Sequence, residues 1–270
     1  MTAKRILPVA LTIAGSDSGG GAGIQADLKT FAAFGVHGTS AITCVTAQNP
    51  KRVWDVEPCS PKIVRQQIEA VFEELQPEAV KSGMLFSPEI VRVVAGFFEK
   101  RSYPPLIVDP VMISTSGAIL LKPAAIKVLQ EHLLPLAALV TPNLREARIL
   151  TGRKITSVEN MRAAAREIHA RFGCAALVKG GHLRNGCEAV DIFFDGRTEL
   201  LLTAPFVKGV HTHGTGCVYS AAIAAALASG YDLSEAVKLA KQYVTRTIAQ
   251  SYRIERHFSL NHLVNAAKRK

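Results

Sequence analysis

Gly214-Thr-Gly-Cys217 stands directly before Val218-Tyr-Ser-Ala-Ala-Ile-Ala-Ala-Ala-Leu227, a run of small apolar residues that reads as a buried helix. Two glycines at a helix start turn the first N–H groups and the positive end of the helix dipole into the loop. With Thr215 and Gly216 between Gly214 and Cys217, that turn is an anion hole suited to the charge on a transferring phosphoryl group. Cys217 itself has several readings: nucleophile, base, metal ligand or small packing residue. The helix terminus favours its thiolate by lowering the thiol pKa from ~8.5. His211 and His213 are near, but no second Cys or acid has ligand spacing, so little supports a metal role.

Four other stretches carry chemistry. Lys179 closes the apolar run Ala175–Lys179 and is followed by Gly180-Gly181, so its ammonium can point at a bound phosphate; the alternative is an edge lysine with its head in water. Asp109 ends another apolar run at the place where α/β sheets bind ligands, although an acid before Pro110 can also cap a turn. Asn143 and Glu146 have capping-box spacing. Asp109 and Glu146 would equally hold Mg²⁺ jointly through water. Last, Ala14-Gly-Ser-Asp-Ser-Gly-Gly-Gly-Ala-Gly-Ile-Gln-Ala-Asp27 follows the first strand. It lacks the lysine of a P-loop and the spacing of a dinucleotide fingerprint, and Thr46-Ala-Gln-Asn49 lacks the acid that would hold a ribose. It reads as a loop around a small substrate, with Asp27 one helical turn inside and facing it, or else as a flexible βα turn.

Brief apolar runs supply the strands that position these residues: Ile6–Ala14, Ser40–Thr46, Ala79–Met84, Leu106–Val111, Ala137–Val140 and Ala175–Lys179. Helices start at Ser60-Pro61, Ser87-Pro88, Ser157 (running Val158–Phe172) and Asp232 (running to about Ser251). The alternation predicts a mostly parallel sheet covered on both faces, and Asp195-Gly196 between Val190–Phe194 and Leu200–Thr203 predicts a late antiparallel edge hairpin. Neither linker nor repeat divides the 270 residues, so a single domain over 1–270 is expected.

The chain is 48% hydrophobic and 20% charged, as in water-soluble globular proteins, and no apolar run approaches the ~20 residues that span a bilayer. Lys4-Arg5 before Ile6–Ala14 superficially suggests a signal peptide, but a first strand feeding a glycine-rich loop accounts for it better. Five scattered cysteines without C-x-x-C predict reduced thiols and a cytoplasmic setting. The net charge of +10 suits an anionic ligand. No basic stripe with interleaved aromatics points to nucleic acid, although a basic binding protein is a reading that salt-dependent retention on polyanions would reveal.

Together with Val45-Thr-Ala-Gln-Asn49, Lys81-Ser-Gly-Met84, Asp109-Pro-Val-Met112, Thr141-Pro-Asn, Val178-Lys-Gly-Gly-His182 and Thr212-His-Gly-Thr-Gly-Cys217, the glycine-rich loop resembles the ribokinase-like superfamily. More narrowly, the chain resembles the hydroxymethylpyrimidine/phosphomethylpyrimidine kinases of thiamine biosynthesis. The resemblance implies a three-layer α/β/α sandwich and an ATP-dependent kinase that phosphorylates an aminopyrimidine twice. It maps the pyrimidine pocket onto Gly15, Asp27, Gln48, Met84 and Val111, with Cys217 beside the accepting hydroxyl. It puts Lys179, Asn143 and Thr212 at ATP, Asp109 and Glu146 at Mg²⁺, a lid at Ser114–Gly117, and implies a homodimer. Many sugar kinases of the superfamily carry a general-base Asp where this chain has Cys217. A thiolate there accepts a proton; a neutral thiol only positions the hydroxyl. Some pyridoxal kinases of the subfamily add a lid cysteine, which Ile113-Ser-Thr-Ser116 lacks, so pyridoxal phosphorylation stands as the alternative. A non-catalytic ligand-binding regulator is a further alternative, disfavoured because every chemistry-bearing residue is present.

Overall fold

The computed structural model describes residues 6–99, 103–113, 120–181, 183, 188–210 and 213–264. In chain order the elements are β1 (Val9–Asp17), α1 (Gly23–Phe34), β2 (His37–Asn49), β3 (Arg52–Pro58), α2 (Pro61–Glu74), β4 (Ala79–Ser82), α3 (Pro88–Phe98), β5 (Leu106–Val108), α4 (Pro123–Val128), β6 (Leu139–Val140), α5 (Leu144–Thr151), α6 (Val158–Phe172), β7 (Ala175–Lys179), β8 (Glu188–Phe194), β9 (Glu199–Pro205), α7 (Thr215–Ala228), α8 (Leu233–Ala249), β10 (Tyr252–Ile254) and β11 (His257–Ser259). Nine strands form one sheet in the order β3-β2-β1-β4-β5-β6-β7-β8-β9, with β10 and β11 a separate hairpin.

Period-two alternation sends successive side chains of each central strand to opposite cores. Leu11, Ile13, Val80, Val108 and Val140 pack under α2 to α6, while Ala10, Ala79, Ile107, Leu139 and Leu177 pack under α1, α7 and α8. The result is the expected three-layer α/β/α sandwich. Helix starts follow the capping residues: Ser60, Ser87, Ser157 and Asp232 each accept a backbone N–H two or three residues inside the helix.

The late hairpin β8–β9 is present and antiparallel. A second antiparallel edge, β3 on β2, lies at the opposite side of the sheet and was not foreseen. Its turn is built by Asn49, whose Oδ1 accepts the N–H groups of Lys51 and Arg52. Its polar alternation is what an exposed edge strand looks like. Of the expected strands only β7 keeps its bounds; β2, β8 and β9 are longer, and β4 and β6 are shorter. β1 reaches Asp17 rather than Ala14, and β5 stops at Val108 because Pro110 cannot donate to the ladder.

Candidate active site

A cavity of about 560 Å³ opens where the parallel strands end. This is where doubly wound sheets place ligands, because the loops leaving the strand ends diverge there. Gly15, Gln48, Met84 and Val111 line one part of it, as the resemblance implies. Gly15 has no room for a side chain, since a Cβ would stand 2.7 Å from Cys44 Sγ. Gln48 is pinned through its backbone, which donates to and accepts from the Ser18 hydroxyl. Val111 holds φ at +39°, a left-handed conformation that a β-branched residue adopts only under constraint.

The opposite wall is the start of α7. Gly214 is its N-cap at φ +86°, and a Cβ there would run into the carbonyl oxygen of Gly21. The first turn has no side-chain cap and no acid of its own, so its dipole faces the cavity. A Cβ on Gly216 would sit 3.3 Å from Lys179 Nζ and 3.5 Å from Asp109 Oδ2, so the turn and this pair meet face to face. Lys179 donates to Asp109 Oδ1 at 3.1 Å, and the Thr141 and Ser220 hydroxyls approach the same carboxylate at 3.4 and 3.3 Å. Burial alone would lower the Lys179 pKa, but Asp109 and Glu146 outweigh it, so the ammonium stays charged.

Asn143 and Glu146 form a complete capping box on α5. Glu146 accepts from the Asn143 and Met112 N–H groups at 2.9 and 3.1 Å, fastening the segment after Asp109 to α5. Burial raises its carboxyl pKa against the pull of Lys179. Among the described residues no group of three or more His, Cys, Asp and Glu is placed to hold a metal by itself.

The phosphomethylpyrimidine kinase family model matches residues 17–262. The chain belongs to that family. A hydroxymethylpyrimidine/phosphomethylpyrimidine kinase from Rhizobium meliloti is 52% identical over 251 residues, covering 92% of each chain. Among solved structures, a phosphomethylpyrimidine kinase from Clostridium difficile is 48% identical, with a TM-score of 0.78 over 89% of this chain and 98% of that one. A Bacillus subtilis pyridoxal kinase in complex with ADP is 36% identical, with a TM-score of 0.87 over 95% of this chain and 98% of that one.

In this phosphomethylpyrimidine kinase two site expectations need correction. Asp27 does not line the cavity. It is fully buried behind it, where its Oδ2 takes bonds from Lys81 at 2.7 Å and Thr12 at 2.6 Å. One turn inside α1 points its side chain at the neighbouring strands, not at the loop. Cys217 lines the cavity, but its thiol is not activated. Burial, together with Asp27 and Asp109, pushes it up to about 11, against the pull of Lys81 and of the Gly23 N–H. Burial is the largest influence and holds the thiol above its ordinary value, so it is neutral near pH 7. Thr212 and the lid Ser114–Gly117 lie outside the described residues.

The kinase also uses residues that carried no role in the sequence reading. Asp17 accepts the N–H groups of Gly19, Gly21 and Ala22 at 2.7, 3.1 and 2.8 Å, and His213 Nε2 lies 3.2 Å from its Oδ2. The signal was present in an Asp directly before Ser-Gly-Gly-Gly, where side chains bond the backbone two or more residues on. Toward β9 and α8 the cavity has a largely apolar arm, lined by Phe206, Val207, Val210, Val244 and Ile248 and also by the Lys241–Asp191 ion pair. These scattered residues have no spacing that a sequence motif would reveal.

Proposed function

We propose that the chain transfers the γ-phosphoryl group of ATP to the hydroxymethyl group of 4-amino-5-hydroxymethyl-2-methylpyrimidine, and then a second one to the resulting monophosphate. The observation that carries this reading is the juxtaposition of the Gly214–Cys217 turn and the Lys179–Asp109 pair, with the Gln48 pocket on one side and an apolar arm on the other. Gln48 both donates and accepts, which matches an aminopyrimidine edge, and Met84 and Val111 offer apolar faces to the ring. The apolar arm fits the flat face of the nucleotide base. Lys179, with Asn143, meets the phosphates.

In each transfer the acceptor oxygen bonds to the γ-phosphorus while the bond to the β,γ-bridging oxygen breaks, and ADP leaves with that electron pair. The helix start stabilises the charge spread over the transferring group. A neutral Cys217 orients the acceptor without adding a negative charge. In the second transfer the acceptor is already an anionic phosphate oxygen and needs no base, whereas a carboxylate at this position would repel it. Asp109, just after β5, and Glu146, in the first turn of α5, are oxygen donors already bonded by protein N–H and O–H groups. They would hold, through water, a magnesium ion carried by the nucleotide phosphates. When bound, that ion neutralises phosphate charge.

The pyridoxal reading draws on the fold shared with pyridoxal kinases, and the Gln48 pocket favours the pyrimidine. The same proposal takes 1–270 as a single kinase domain in the cytoplasm and as a homodimer. Edge strand β3, whose Trp54 is 52% exposed, supports the dimer as the face available for pairing. Sedimentation at micromolar concentration is expected to give twice the chain mass of 29.0 kDa. For catalysis, ATP labelled in its γ-phosphate is expected to pass label to the pyrimidine. Label appearing only as inorganic phosphate would defeat the reading.

A further inference from the structure

We propose that Lys81, held by Asp27, is a positioning residue for phosphoryl transfer: it presents a fixed positive charge to the acceptor end of the cavity and steadies the attacking oxygen. The inference rests on the kinase reading above and extends it to residues that line no substrate in that reading.

Lys81 and Asp27 form an ion pair at 2.7 Å with both side chains 0% exposed. Taking two charges out of water is costly, and well-packed apolar replacements of such pairs are often neutral or stabilising, so fold stability does not account for the pair. Its orientation does. Lys81, although closed off from water, is among the residues that line the cavity, as are Met84 and Cys217, while Asp27 is not. The pair is therefore a dipole with its positive end toward the acceptor. Asp27 holds it there through Oδ2 alone, shared between Lys81 and Thr12, and Oδ1 has no hydrogen-bond partner among the described residues. Space is reserved for the ammonium: a Cβ on Gly83 would stand 2.7 Å from Lys81 Nζ.

The charge is permanent. Burial works against the ammonium and also pushes the Asp27 carboxyl up, but the attraction of Asp27 and Asp109 outweighs it for Lys81 and holds the lysine at about 12. The neighbouring ionisable groups that feel it are Cys217 and Asp109, both at the reacting end of the cavity. With Cys217 neutral, the thiol does not receive the hydroxyl proton in the first transfer. As the new P–O bond forms, that proton passes from the acceptor oxygen to an oxygen of the transferred phosphoryl group, so the step balances without a protein base. Lys81 neither gives nor takes a proton. It lowers the cost of negative charge on the acceptor oxygen, and in a dry site a fixed charge does so without reorganisation.

The test compares Lys81→Met/Asp27→Asn, which replaces the pair by neutral groups of similar volume, with Asp27→Asn, Lys81→Gln and wild type. Thermal unfolding, kcat and KM with the pyrimidine and Mg·ATP, and the pH dependence of Cys217 alkylation by iodoacetamide are measured on each. The double variant and Lys81→Gln are expected to lose about a hundredfold in kcat, the scale of losing one preorganised donor, with KM within about threefold. Their Cys217 alkylation midpoint is expected to move to higher pH, and that of Asp27→Asn, where Lys81 stands uncompensated, to lower pH. Wild-type kcat in a folded double variant, or alkylation midpoints that do not move in opposite directions, would overturn the proposal. Failure of wild type itself to phosphorylate the pyrimidine would instead remove the kinase reading, while the alkylation shifts would still report the field of Lys81. A purely structural role predicts lowered unfolding temperature with alkylation unchanged.

Discussion

His213 Nε2 lies 3.2 Å from Asp17 Oδ2, so the last residue before the phosphate-binding turn is fastened to the glycine-rich loop of the acceptor pocket. Asp17 is buried, which opposes ionisation, yet the His213, Gly19 and Ala22 bonds outweigh burial and bring its carboxyl down to about 2. A folded value below the ordinary carboxylate value stabilises the fold above about pH 4, and that stability is lost as pH falls through about 2. Asp17→Asn is expected to lose about 2 kcal/mol at pH 7, with the difference from wild type shrinking below pH 4. Urea unfolding at pH 7 and pH 3 checks this, and equal differences at both would contradict it.

Cys217 separates the two phosphorylations. Because the thiol is neutral near pH 7, Cys217→Ala is expected to cost about tenfold in kcat rather than the ~10²–10⁴ of a lost general base. Cys217→Asp is expected to keep the first transfer and lose the second, through repulsion of the anionic acceptor. Separate assays of the alcohol and the monophosphate show it, and equal effects on both would contradict this role.

Gly214→Ala places a Cβ against the Gly21 carbonyl in a left-handed conformation, so either the helix start or the glycine-rich loop must move. A loss of about a hundredfold in kcat is expected, comparable to removal of one oxyanion-hole donor. Steady-state kinetics with unchanged unfolding temperature would isolate this effect, and a wild-type rate would show that the turn does not bind the transferring group.

Asp109→Asn removes the charge that faces both Lys179 and the cavity. The magnesium concentration for half-maximal rate is expected to rise about tenfold or more, because a hard cation responds to carboxylate charge. Superimposable magnesium titrations for the two proteins would contradict it.

Much of the fold was legible because the parallel core is written as brief apolar runs ending in Gly, Pro or Asp, and Ser60, Ser87, Ser157 and Asp232 mark helix starts by their own bonding chemistry. The β3 edge was less legible because Arg52–Pro58 alternates with exposed polar residues and resembles a loop. In the site, Gly15, Gln48, Asp109, Lys179 and Gly214, which the sequence marks by strand ends and tight turns, all line the cavity. The depth of Asp27 and the choice between thiol and thiolate at Cys217 were illegible for one reason. Sequence gives a residue's position along a helix, but not how deeply its neighbours bury it, and burial decides both the Lys81 pairing and the thiol's protonation.

The central claim is that one cavity phosphorylates the aminopyrimidine twice, and the most direct test is kcat/KM with Mg·ATP for the hydroxymethylpyrimidine, its monophosphate and pyridoxal, with products separated by charge. The structure predicts turnover of the first two, ending in the diphosphate, with pyridoxal far slower. Turnover of pyridoxal alone would keep the anion hole and contradict the assignment of the Gln48 pocket to the pyrimidine.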